Sequence, residues 1–229
     1  MNQMNVWGMT DIGLVRKENQ DAYVTAQHTA SGRTVGVVCD GMGGPAGGRV
    51  ASQIAVSVYL EELEKLLTAD QTPQQLLEAS AQAAALANQA IQAEAERREE
   101  CRNMGDSRAY HITEDGITRI TKDHSLVESM VDRGDITAEE ARRHPSRNLI
   151  TRALGPDISA DCDGYICPMN AGEYLLLCSD GLVNTVTDQE MLFEVIHGDG
   201  PDTCLDRLLA IAKRQGAPDN VTAVLMQKQ

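Results

Sequence analysis

Apolar and polar positions divide the chain into strands and helices before any chemistry is considered. The run RTVGVVC at 33–39 is rich in β-branched residues and closes on Asp40-Gly41, the pattern of a buried strand ending in a turn. EYLLLCS at 173–179 repeats it and closes on Asp180-Gly181. DAYVTA, from Asp21, and VTAVLMQ at 221–227 read as two further strands. SRAYHIT (107–113) and GITRIT (116–121) alternate on either side of Glu114, Asp115 and Gly116, which predicts a hairpin. Between Arg49 and Leu67, apolar residues recur at helical spacing, with Val50, Ile54, Val58 and Leu63 on one face. A second helix opens with Thr72 as N-cap, Pro73 at its first position and Gln75 completing a capping box. It runs to about Cys101, with Leu76, Ala83, Leu86, Ala90 and Ile91 on one side. Residues 123–160 are polar and helix-prone, with a capping box at Thr137 and Glu140. Helices then follow from Thr187 to His197 and from Pro201 to Arg214, the last stopped by Gly216. Strands and helices do not alternate strictly, so an α+β layered sandwich is favoured over a doubly wound parallel sheet.

Composition narrows this picture. A chain of 229 residues, 42% of them hydrophobic, fills one sizeable core and is read as a single domain over 1–229. The formal charge of -14 argues against nucleic acid and against an anionic membrane surface, and it suits a protein that gathers carboxylates around cations. Six cysteines show no CxxC pair and no zinc spacing, so they read as reduced core thiols of a cytoplasmic protein. MNQMNVWGM lacks the basic and apolar regions of an export signal.

The candidate chemistry lies at strand ends. Asp40 and Asp180 each follow a buried strand, Asp219 in PDN immediately precedes one, and Asp21 and Asp106 each stand at or just before another. One Asp-Gly after a strand is most often an ordinary turn. Five aspartates on one sheet edge would repel one another unless cations neutralised them, and such hard oxygen donors suit Mg²⁺ or Mn²⁺. Other chemistries are absent. No cysteine has an arginine six residues on, GDSRA fails GxSxG, and no GxxxxGK[ST] occurs. DCDGY at 161–165 lacks the buried strand of an aspartyl-phosphate motif and reads as a turn, while His124 and His144 read as surface residues.

RKENQD, VVCDGMGG, GDSRAY, RNLITRALG, CSDGL and PDNVTAV, in that order over nearly the whole chain, resemble the metal-dependent serine/threonine protein phosphatases of type 2C in their compact bacterial form. The resemblance implies a four-layer α/β/β/α sandwich of two antiparallel sheets flanked by helices. It also implies a centre of two Mn²⁺ or Mg²⁺ ions, whose bridging water attacks phosphorus in phosphoserine or phosphothreonine. By position, Asp21, Asp40, Asp180 and Asp219 would be metal ligands, with the Gly41 carbonyl. Asp106 with Asp180 would match a third metal site, and Arg16 would grip the substrate phosphate. Residues 122–160 would form a flap beside the site. The partners implied are phosphoprotein substrates and a serine/threonine kinase, with the chain itself a monomer.

Two features depart from the family pattern. Met42 follows Asp40-Gly41 where many relatives carry a histidine. Met104-Gly105 runs directly into Asp106, so about 20 residues, one central β-hairpin, are missing along with the strand expected to position Asp106. The sequence thus leaves two readings: a phosphatase, or a phosphoprotein-binding descendant that has lost turnover.

Overall fold

A computed structural model of the chain describes all residues other than 1–3, 43–46, 99–101, 105, 147–148 and 156–161. Two antiparallel sheets form its centre. The larger is built from β1 (Met4–Asp11), β6 (Arg108–Thr113), β7 (Gly116–Arg119), β9 (Tyr174–Cys178) and β10 (Val221–Lys228), in the order β1-β10-β9-β6-β7. The smaller pairs β2 (Ala22–His28) with β3 (Arg33–Cys39). A third group joins three short strands, β4 (Gly41–Met42), β5 (Arg102–Met104) and β8 (Ala153–Leu154), in the order β4-β5-β8.

Register decides where the aspartates fall. In the larger sheet Ala223 pairs with Cys178, and Cys178 pairs with Arg108. The residues just beyond those partners, Asp219, Asp180 and Asp106, therefore emerge at one end. In the smaller sheet Ala22 pairs with Cys39, which sets Asp21 and Asp40 side by side. The two sheets meet through glycines that leave room for large neighbours. A Cβ at Gly36 would lie 2.0 Å from the Met226 side chain, and one at Gly8 would lie 2.2 Å from the Tyr23 ring.

Helices cover both outer faces. On the β2–β3 side, α1 (Gly47–Leu66) and α2 (Pro73–Arg98) pack over Cys39 and Val35, burying Ala51, Ala55, Val56, Ala83 and Ile91. Beyond the larger sheet, α5 (Asp180–Val183), α6 (Asp188–Ile196) and α7 (Cys204–Arg214) cover Tyr110, Leu176 and Leu225 with Leu182, Met191 and Leu208. The layers are thus helix, sheet, sheet, helix, the expected sandwich. Among the described residues no helix is long and apolar enough to cross a membrane.

Several expectations are refined. β1 carries no clear apolar alternation, yet it pairs with β10 over eight residues, from Met4 opposite Lys228 to Asp11 opposite Val221. On α1, Leu63 is buried as expected, while Val50 and Ile54 pack at the edge of a face centred on Ala51, Ser52, Ala55 and Val56. Ala79, Ala83, Ala87 and Ile91, spaced by four, form the buried stripe of α2. Small side chains on both helices allow close approach, and this outweighs the bulk of the valines and isoleucine. The α2 cap forms as expected, with the Gln75 amide donating to the Thr72 hydroxyl and Gln75 Oε1 accepting from the Thr72 N–H. Cys39, Cys178 and Cys204 are buried thiols, whereas Cys162 is exposed and Cys167 half-buried; Cys101 lies outside the described residues.

Along β9, Tyr174, Leu176 and Cys178 are buried against helices, while Leu175 and Leu177, on the side toward the two-stranded sheet, are only partly covered. One expectation is corrected. A strand does precede Asp106: β5 pairs with β4 through Gly41 and Asn103, tying the chain before Asp106 to the turn that follows Asp40.

Candidate functional site

Asp21, Asp40, Asp106, Asp180 and Asp219 come from five separate strand ends and form one electrostatic cluster. Asp21 and Asp40 are both 8% exposed. Burial pushes the Asp40 carboxyl up to about 10, and the charges of Asp21, Asp180, Asp106 and Asp219 push the same way. Burial and then Asp106 and Asp219 raise Asp180 to about 7. Burial and Asp123 raise Asp106 to about 6. Asp21 is raised by burial, against a hydrogen bond from Ser179 that favours its ionised form. Asp40 is the one that feels the charges of all four others in turn, so it stands at the middle of the cluster.

The glycines of the two Asp-Gly turns bring these carboxylates together. A Cβ at Gly181 would lie 1.9 Å from the Asn220 carbonyl oxygen, so only glycine lets the Asp180 turn abut the Asp219 turn. At Gly41 a Cβ would lie 2.1 Å from the Gly48 carbonyl oxygen and 2.4 Å from that of Gln20, the residue before Asp21. Each glycine therefore touches the neighbour of the aspartate with which its own aspartate must meet.

Three polar residues that the motifs did not single out complete the frame. Buried Ser179 donates to Asp21 Oδ2 at 2.8 Å and accepts from the Thr222 N–H at 3.1 Å. Asn220 accepts from the Gln20 N–H at 2.8 Å and donates to the carbonyls of Ile12 and Glu18, both at 3.0 Å. Thr222, itself buried, meets the Thr10 hydroxyl at 2.7 Å. Their position beside Asp180, Asp219 and β10 was the only sequence signal available for them.

Arg16 reaches into this frame and donates to Asp219 Oδ2 at 2.6 Å, while its side chain stays 54% exposed. Arg108 does not pair with Asp106. Its guanidinium grips both oxygens of Asp123, the shortest contact being 2.6 Å. Above Asp106 and Asp180 opens a cavity of about 460 Å³, roofed by α3 (Leu126–Asp132) and α4 (Ala138–Arg143) through Val127, Glu128 and Ala141. α4 begins at the expected Thr137–Glu140 capping box. His124 bonds Asp163 of the DCDGY turn at 2.8 Å and lies apart from the carboxylate cluster.

Among the described residues, no three His, Cys, Asp or Glu side chains stand as a ready metal cage. Arg16 occupies Asp219. The donor set nevertheless fits a hard divalent cation. Asp106 Oδ1 and Asp180 Oδ1 are buried and meet no hydrogen-bond partner among the described residues, and the cluster as a whole is held against mutual repulsion.

Comparison with known proteins agrees with this geometry. The family model described as Protein phosphatase 2C matches residues 15–224. The serine/threonine protein phosphatase PstP of Mycobacterium tuberculosis is 35% identical over 236 residues, covering 94% of this chain and 43% of its own, so the chain spans under half of that relative. The crystal structure of the serine/threonine phosphatase Stp1 from Staphylococcus aureus superposes with a TM-score of 0.88 at 31% identity, covering 100% of this chain and 98% of its own. The catalytic domain of PstP in complex with two manganese ions superposes with a TM-score of 0.76 at 31% identity, covering 98% of each chain. Six ordered motifs, a sandwich with its aspartates at one end and these likenesses agree: the chain belongs to the protein phosphatase 2C family.

Proposed function

We propose that this chain hydrolyses phosphoserine and phosphothreonine in proteins with the help of divalent cations, Mn²⁺ or Mg²⁺, and opposes a serine/threonine kinase. The observation that carries the reading is the convergence of five aspartates from five strand ends, two with buried oxygens that meet no hydrogen-bond partner among the described residues. A module that only bound phosphoproteins would have no need to hold so many carboxylates against their own repulsion.

Asp21, Asp40, Asp180 and Asp219, with the Gly41 carbonyl, would hold two cations, and Asp106 with Asp180 a third. When bound, the cations supply Lewis acidity, which neutralises the carboxylates and acidifies water near the phosphate. The chain's own groups do the rest. Arg16, half exposed on the rim, is free to exchange its contact with Asp219 for a bidentate grip on phosphoryl oxygens. Ser179 and Asn220 keep Asp21 and the Asp219 turn in place. Met42 has no proton to give the departing serine or threonine oxygen. The α3–α4 segment, within a flap of about 122–160, forms one wall of the approach.

The test is hydrolysis of a phosphothreonine peptide with Mn²⁺, with EDTA, and by Asp180→Asn. Turnover is expected only with the metal, and the substitution should lower it by at least ~100-fold, the scale of losing one electrostatic stabiliser. A folded protein that binds the peptide without turning it over would sink the hydrolase reading and leave the binding one.

A further inference from the structure

Among the described residues, seven large apolar side chains lie exposed, and three of them sit on the loop between β1 and β2: Ile12, Leu14 and Val15. Leu14 and Val15 are 60% and 67% exposed, and they immediately precede Arg16. An exposed leucine on a slack loop signifies little. This loop is held at many points. The Gly13 N–H donates to Asp11 Oδ1 at 2.8 Å, and the Leu14 N–H donates to the Ala217 carbonyl at 2.9 Å. Asn220 holds the carbonyls of Ile12 and Glu18, and Lys213 anchors Asp11 at 2.8 Å. Gly13, at φ +76, lies so close to Asp219 that a Cβ there would come within 2.2 Å of its carbonyl oxygen.

The fixed backbone has two consequences. Leu14 and Val15 cannot withdraw from water by local collapse, because the chain that carries them is pinned to the 217–220 turn. They also sit on the rim of the carboxylate cluster, on the same loop as the arginine that would receive the phosphate. A partner that delivers a phosphate to Arg16 comes within two residues of them, and covering them costs no ordering of the loop.

We propose that Ile12, Leu14 and Val15 form an apolar docking platform for the residues flanking the phosphoresidue, so that preferred substrates carry aliphatic or aromatic side chains beside phosphoserine or phosphothreonine. The proposal rests on the phosphatase reading for the phosphate itself, and its test separates the two. Three phosphothreonine peptides are compared, identical except that the flanking residues are Leu and Val, Ser and Gly, or Lys. Binding is followed by fluorescence anisotropy and turnover by phosphate release, both with Mn²⁺. The Leu/Val peptide should show Kd and KM lower by about tenfold than the Ser/Gly peptide, the scale of small apolar contacts in a recognition site. Leu14→Ser with Val15→Ser should bring the ratio to about one, and thermal melting should show that the variant remains folded. Equal binding of all three peptides, a preference for Lys, or an apolar preference that survives the double substitution would overturn the platform. Tighter binding of the Leu/Val peptide without turnover would support the platform while removing the hydrolase reading.

Discussion

At each Asp-Gly turn the aspartate supplies charge and the glycine supplies contact. Gly181 touches the Asn220 carbonyl, so alanine there would push the Asp180 turn away from the Asp219 turn. Gly181→Ala is expected to cost about 1–3 kcal/mol of stability, as overpacking does, and to depress phosphopeptide turnover more than its loss of melting temperature explains. An unchanged turnover would show that the close approach is incidental to the site. Ser179→Ala should cost about 1–3 kcal/mol in urea unfolding, because a buried carboxylate and a buried N–H both lose their partner. The sequence reveals these residues to different extents. Asp40 and Asp180 are conspicuous because each ends an apolar run. Ser179 and Asn220 are ordinary polar residues until their partners, 158 and 200 positions away in sequence, fold against them.

Elements were legible where local composition and tertiary environment agree. β3 and β9 are short apolar runs closed by turns, and each forms as a strand, β9 with alternate residues buried and β3 with Val35 and Cys39 buried. β1 was hidden because MNVWGMTD lacks alternation; pairing with β10 makes it a strand, and Gly8 lies where the Tyr23 ring must fit. The helix faces are legible in part: Leu63, Ala83 and Ile91 are buried as their spacing predicts, and the alanines between them, Ala51, Ala55, Ala79 and Ala87, bury as deeply without bulk to mark them. A link between elements supports the roof of the cavity: Arg108 on β6 holds Asp123, whose side chain is only 10% exposed, at the start of the flap-like segment. Arg108→Met should therefore cost about 3–5 kcal/mol, since it leaves a nearly buried carboxylate with only the longer contact to Arg119, at 3.6 Å. Adding Asp123→Leu should recover much of that loss. A double-mutant cycle in urea decides the matter, and simple additivity would show that the pair does not act as a unit.

At the scale of the whole molecule, the site works against the fold that holds it. Asp40, Asp180 and Asp106 are held at about 10, about 7 and about 6, chiefly by burial and then by neighbouring acidic charge, and Asp21 is raised as well. The folded protein without cations therefore binds more protons than the unfolded chain, whose carboxyls titrate near ~4. For groups raised on folding, the contribution to stability is fully present below the unfolded value and is lost as pH rises through the folded values. In EDTA the melting temperature should accordingly be higher at pH 5.5 than at pH 8. The net charge of -14 pushes in the same direction through general repulsion, so the slope alone does not identify the cluster. Asp40→Asn does, because it removes the carboxyl that the fold holds protonated furthest above its ordinary value and so removes that group's share of the pH dependence. That variant should melt higher than wild type in EDTA at pH 8 and show a flatter pH dependence. Adding Mn²⁺ should raise the wild-type melting temperature at pH 8 far more than that of the variant. A wild-type protein in EDTA that grows more stable as pH rises from 5.5 to 8 would show that these carboxylates do not strain the fold and that their convergence needs another explanation.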